Sequence, residues 1–110
     1  MDFHAHVYYD WDHRDEALAL RQHLMAAAGD LITVHSLIDR QVGPHLWPMF
    51  EIDFSEPVYQ ALTDWLEWHH GNLSVLIHPL TDDDIANHGP LARWIGQELP
   101  LNWARLGLVA

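Results

Sequence analysis

The sequence predicts an α+β domain of the ferredoxin-like βαββαβ class, a four-stranded antiparallel sheet with both helices on one face. Three observations carry this. Stretches at 3–9, 49–54 and 73–78 alternate residues with the two-residue period of a half-buried strand. Two intervening stretches repeat apolar residues at helical spacing. The order strand–helix–strand then occurs twice within 110 residues, a length that supports a single domain, residues 1–110. Right-handed crossovers put the first and third strands side by side at the centre, with the fourth beside the first. The face away from the helices is then bare, which points to a homodimer of the dimeric α/β-barrel kind covering it.

The elements follow in order. In Phe3–Tyr9, Phe3, Ala5, Val7 and Tyr9 take one face and His4, His6 and Tyr8 the other. A helix is expected over 12–28, with Asp12 as N-cap, Asp15 and Glu16 at the positive dipole end, and Gly29 as the stop. Its buried stripe is Ala17, Leu20, Leu24 and Ala28. Leu31–Leu37 is a second, less regular strand, followed by a loop with Gly43-Pro44 and Pro48. In Met49–Phe54, Phe50, Ile52 and Phe54 oppose Met49, Glu51 and Asp53. Ser55 is expected to cap the second helix, with Pro57 in its first turn and Val58, Ala61, Leu62, Trp65 and Leu66 buried. Residues 73–78 form the fourth strand, with Ser74, Leu76 and His78 on one face. Thr81 with Asp84 resembles a capping box for a short helix, and another helix is expected after Gly89-Pro90. Trp103, Leu106 and Leu108 are expected to pack on the body or on a partner.

Composition narrows the function. Five Arg and no Lys against 16 acidic residues give a formal charge of −11, which removes the phosphate-neutralising term that nucleic acids and anionic membranes require. The absence of cysteine excludes disulfides, iron–sulfur clusters, thiolate nucleophiles and Cys-ligated zinc. No signal-peptide pattern or membrane span is visible, and a cytoplasmic location is expected. Ten histidines, by contrast, exceed what packing needs. Their protonation would nearly neutralise the chain, so solubility is expected to fall near pH 5–6.

The strand faces gather some of these histidines. With the apolar faces under the helices, His4, His6 and Tyr8, Glu51 and Asp53, and His78 all fall on the opposite side. Histidines two apart on a strand are separated by about 6.6 Å at Cα, so their imidazoles can tilt onto one ion. Two His and a carboxylate such as Glu51, with open positions opposite, is the pattern of non-haem Fe(II) oxygen chemistry. His78 or His45 is the candidate second ligand or the acid/base, and spacing does not choose between them. Each residue also has an ordinary reading as a solvated strand face or a strand-end cap. His13, His23, His35, His69 and His70 read as surface or helix-terminal residues.

The ordered segments His4-Ala5-His6-Val7-Tyr8-Tyr9-Asp10, Val42-Gly43-Pro44-His45, Met49-Phe50-Glu51, Leu73-Ser74-Val75-Leu76-Ile77-His78-Pro79, Asn87-His88, Trp94-Ile95-Gly96 and Leu99-Pro100-Leu101 resemble the DOPA 4,5-dioxygenase family. Leu46, where proline is expected, and Asn87, where aspartate is expected, depart from its pattern. The resemblance implies extradiol opening of a catechol ring, L-DOPA or a relative, by O2 with Fe(II) or another divalent metal. It implies His6, Glu51 and one of His45 or His78 at the metal. His4, Tyr8, His88 and the remaining histidine are then acid/base groups or substrate contacts. Two rival classes stand beside it. One is a cofactor-free monooxygenase or isomerase on the same scaffold, and the other a non-enzymatic ligand-binding or dimerisation module.

Overall fold

The computed structural model describes residues 1–107. β1 (Asp2–Tyr8) lies between β3 (Met49–Ser55) and β4 (Ser74–Pro79), antiparallel to both. β2 (Thr33–Val34) pairs with the outer side of β3 and β5 (Arg93–Ile95) with the outer side of β4, giving the order β2-β3-β1-β4-β5. The expected neighbours of β1 are present, but the sheet has five strands rather than four. The fifth replaces the helix expected after Gly89-Pro90. Trp94 and Ile95 suit a pleated surface, and their backbone closes the free edge of β4 opposite Leu76 and Val75.

β2 is shorter than the strand expected over 31–37. His35 N–H still donates to Glu51 O (2.9 Å), and Ile38 pairs with Met49. Three steps along this segment thus oppose two along β3, and the extra residue breaks the ladder.

The helices α1 (Arg14–Ala28) and α2 (Tyr59–His69) are each entered through a short 3-10 turn. Asp10, not Asp12, caps the first, its carboxylate accepting the His13 N–H at 3.0 Å. Ser55 precedes the second without a side-chain capping bond, and Pro57 lies in that turn as expected. α3 (Asp84–His88) is capped by Asp83, which accepts from the Ala86 N–H at 3.0 Å. Thr81, expected near that role, donates to Asn87 Oδ1 at 2.6 Å instead. No helix among the described residues is long and apolar enough to cross a membrane.

The core lies between the helices and one sheet face, as the alternation requires. Ala5, Val7, Phe50, Ile52, Val75 and Ile77 meet Leu20 and Leu24 of α1 and Leu62 and Leu66 of α2. Each fully buried Leu or Ile contributes about 1.5–3 kcal/mol.

The opposite face is not bare. Tyr8, Met49, Leu76 and Leu101 form a second buried cluster against Val42, Trp47, Leu99 and Trp103. The 42–47 loop and the C-terminal segment are stitched together over it, with His45 bridging Leu101 and the Asn102 N–H donating to Pro44 O at 2.7 Å. This chain therefore covers with its own residues half of the face expected to need a second copy. The other half, around His4 and Asp53, stays open. Trp103 and Leu106 lie in a 3-10 turn, whereas Leu108 lies outside the described residues.

Candidate active site

Register brings the polar residues together. In β1, His6 faces Glu51 and His4 faces Asp53 across to β3, while His4 faces His78 across to β4. His45 arrives from the 42–47 loop and His88 from the last turn of α3. His6, His45, His78 and His88 are all buried. The His6 ring lies 4.1 Å from His45, 5.1 Å from His78 and 6.3 Å from His88, centroid to centroid. Ligand atoms of His6, His45 and His88 lie within 4.8 Å of one another, as do those of His4, His6 and His78.

The hydrogen bonds select a tautomer. His78 Nδ1 donates to Pro79 O at 2.8 Å and His88 Nδ1 to Asp84 O at 2.8 Å. His45 Nδ1 lies 2.6 Å from the Tyr8 hydroxyl. The Tyr8 hydroxyl can accept from or donate to His45, but the two carbonyl oxygens only accept, so His78 and His88 carry the proton on Nδ1 and a lone pair on Nε2. That is the arrangement in which an outer oxygen orients a metal-binding imidazole. His6 differs. Its Nε2 is 3.0 Å from His78 Nε2, and its buried Nδ1 has no hydrogen-bond partner, with Glu51 Oε1 3.8 Å away.

Burial sets the charge state. It pushes His6 well below the usual imidazole range, helped by repulsion from His45 and His78. It pushes His45 down to about 3 and His78 down to about 4. Burial raises the Tyr8 phenol, which stays protonated. These three imidazoles are neutral at pH 7, the form that binds metal. A divalent ion therefore fits this donor set: neutral Nε2 donors, outer oxygens already in place, and an orphaned nitrogen on His6.

A second group lies outward on the same face. His4 Nδ1 is 3.4 Å from Glu51 Oε1, and His4 Nε2 is 3.3 Å from Asp53 Oδ1. His35 Nε2 sits 2.7 Å from Asp53 Oδ2 and 3.6 Å from Glu51 Oε2. Burial and a hydrogen bond shared with Asp53 push Glu51 up to about 7. Burial would raise Asp53 as well, but its bonds to Glu51 and His35 hold it below the usual carboxylate range. Burial lowers His4 against the pull of Asp53.

The candidates read from the sequence thus fall into two sets. His6, His45, His78 and His88 form the inner group with Tyr8 behind His45. Glu51 belongs to the outer group with His4, and it faces the Nδ1 side of His6 while His78 faces the Nε2 side. His35, read as peripheral, is an outer-group member that the sequence reading missed. Its signal was topological, since a second strand beside β3 sets His35 against Glu51. A cavity of about 480 Å³ runs along Asp2–His4, Asp30–Thr33 and Asp53–Ser55, with Leu80 in its wall. It reaches the outer group, and the four inner histidines do not line it.

Comparison with known proteins agrees with this architecture. The chain matches the Dopa 4,5-dioxygenase family over residues 3–105. It is 30% identical over 115 residues to DOPA 4,5-dioxygenase of Amanita muscaria, covering 96% of this chain and 49% of that protein. It is 27% identical over 110 residues to an uncharacterized 21.2 kDa protein of Botryotinia fuckeliana, covering 91% of this chain and 60% of that one. The chain therefore spans about half the length of these relatives. A crystal structure from Nostoc punctiforme PCC 73102, described as a putative dioxygenase, superposes with a TM-score of 0.88 at 31% identity, covering 99% of this chain and 93% of that one. The chain belongs to the Dopa 4,5-dioxygenase family.

Proposed function

We propose that this protein is a non-haem Fe(II)-dependent extradiol dioxygenase that opens a catechol ring, L-DOPA or a related catechol, with O2. Both oxygen atoms enter the product, one ring C–C bond breaks beside the paired hydroxyls, and a semialdehyde acid forms. The observation that supports this most is the inner group of four buried imidazoles, three with Nδ1 engaged by oxygen, in a chain of this family.

His6, His45 and His88 would hold the metal, with Glu51 on the far side of His6 orienting it. When bound, Fe(II) supplies a Lewis-acidic anchor for the two catechol oxygens and an electron relay to O2. His78, neutral and next to His6, takes the proton from a catechol hydroxyl and returns it to the opening ring. Tyr8 holds the His45 ring in orientation through the Nδ1 bond. The second cluster, with Trp47, Trp94 and Leu99, keeps bulk water from the far side of the histidines. His4 lines the cavity, and its ring lies 5.8 Å from that of His6 and 5.6 Å from that of His78, so the catechol reaches the inner group past His4. The carboxylates of Asp2 and Asp30 on its walls favour a substrate that carries an ammonium group.

The test is a catechol panel that includes L-DOPA, with protein reconstituted anaerobically with Fe(II) and then exposed to air. A ring-opened yellow product is expected from at least one member. Its absence from the whole panel, with iron demonstrably bound, would falsify the proposal.

A further inference from the structure

We propose that the outer group, His4, His35, Glu51 and Asp53, is a second divalent-cation site, distinct from the inner histidines. It offers two imidazoles and two carboxylates, a donor set that suits a first-row ion such as Mn²⁺ or Zn²⁺. Ligand atoms of His4, Glu51 and Asp53 lie within 4.8 Å of one another, and His35 Nε2 contacts both carboxylates, at 2.7 Å and 3.6 Å. The four residues are placed by backbone pairing rather than by flexible loops. Glu51 and Asp53 are two apart on β3, His4 pairs with Asp53 in register, and the His35 N–H is bonded to Glu51 O.

Two features point to a cation here rather than to a self-satisfied network. The two carboxyl groups stand side by side on one strand face and share a hydrogen bond, whose proton a cation would displace, and no Arg side chain among the described residues is bonded to either. Asp53 Oδ1 is buried yet lacks a hydrogen-bond partner, its nearest basic atom being His4 Nε2 at 3.3 Å. The cavity of about 480 Å³ that His4 and Asp53 help to line gives an ion a way in and leaves room for water to complete its shell. Histidine at both ends of the carboxylate pair separates this group from an ordinary acidic surface patch.

Glu51 and His78 stand on opposite nitrogens of His6, but His4 is within reach of both groups, its ligand atoms falling within 4.8 Å of those of His6 and His78 as well as those of Glu51 and Asp53. Metal stoichiometry therefore decides the matter without reference to turnover. Metal-free protein is titrated with Zn²⁺, and tightly bound equivalents are counted by elemental analysis after gel filtration. Two equivalents are expected in the native sequence. One is expected in the His35→Ala/Asp53→Asn double variant, and one in His45→Ala/His88→Ala. One equivalent in the native sequence that survives His35→Ala/Asp53→Asn would overturn the outer site while leaving the inner one standing. One equivalent that the outer substitutions abolish would keep the outer site and overturn the inner assignment. Two equivalents that the outer substitutions leave untouched would also overturn the outer site. If the double variant does not fold, His35→Gln with the native count serves instead, and a native count of one insensitive to His35→Gln overturns the inference.

Discussion

The inner and outer groups lie on one sheet face, a few ångströms apart, and draw on the same residue types, yet they are in opposite electrostatic situations. The inner group is imidazole alone, buried under the 42–47 loop and the C-terminal segment, where burial holds His6, His45 and His78 neutral. The outer group mixes imidazole with carboxylate at the open half of the face and carries charge. His4 and His6 are two residues apart on one strand, so the strand does not make the difference. The cover does. The cluster at Tyr8, Met49, Leu76 and Leu101 anchors the segments that close over His6 and stop short of His4.

The largest effect is expected from removing inner ligands. His45→Ala/His88→Ala should lose catechol turnover by more than the roughly 10–100-fold that loss of a supporting partner costs. Equal losses from the inner pair and from His35→Ala/Asp53→Asn would erase the functional distinction between the groups. Next in size is Tyr8→Phe. It leaves every nitrogen ligand in place but removes the oxygen that orients His45, so Fe(II) affinity should fall by about 10–100-fold. Calorimetry of Fe(II) binding under argon checks this, and unchanged affinity would make Tyr8 a packing residue only.

A third expectation concerns pH and stability. His6, His45 and His78 titrate in the folded chain below their unfolded value of 6.5. Between about 4 and 6.5 the unfolded chain thus binds more protons, and metal-free stability should fall as pH drops through that window. Each such histidine contributes up to about 1.4 kcal/mol per pH unit. Glu51 works in the opposite direction. Its folded value of about 7 lies above the ordinary carboxyl value of 4.5, so it stabilises at low pH and loses that contribution as pH rises towards 7. Glu51→Gln should therefore steepen the decline in thermal midpoint between pH 6.5 and 4.5, and His78→Gln should flatten it. The smallest effect belongs to the outer rim. His35→Gln breaks a half-exposed pair with Asp53 and should cost less than about 1 kcal/mol of stability, read from a denaturant midpoint.

Much of this arrangement was legible in the sequence because strand alternation is a local signal. Phe3 to Tyr8, Met49 to Phe54 and Ser74 to His78 each state their own two faces, and the topology then stacks His4, His6, Glu51, Asp53 and His78 on one side. What was not legible depended on partners far along the chain. The Arg93–Ile95 strand exists because β4 presents a free edge, which no local pattern reports. The cover over His6 depends on Val42, Trp47 and Leu99 meeting Leu76, contacts between segments that separately read as loops. His35 was misread because the extra residue between it and Ile38 disturbs the alternation of its own segment. Asp10 displaced Asp12 as the cap because the chain enters α1 through a 3-10 turn, a choice that two nearby aspartates leave open to sequence reasoning.

The central claim, that this chain inserts both atoms of dioxygen into a catechol ring, has one direct test. Iron-reconstituted protein is given L-DOPA or the best catechol of the panel under isotopically labelled dioxygen. The product is trapped at once with borohydride, so that its aldehyde oxygen cannot exchange with water, and then weighed by mass spectrometry. Two labelled oxygens per ring-opened product are expected. A single labelled oxygen, or none, would contradict the account and favour a monooxygenase or hydrolytic chemistry on the same scaffold.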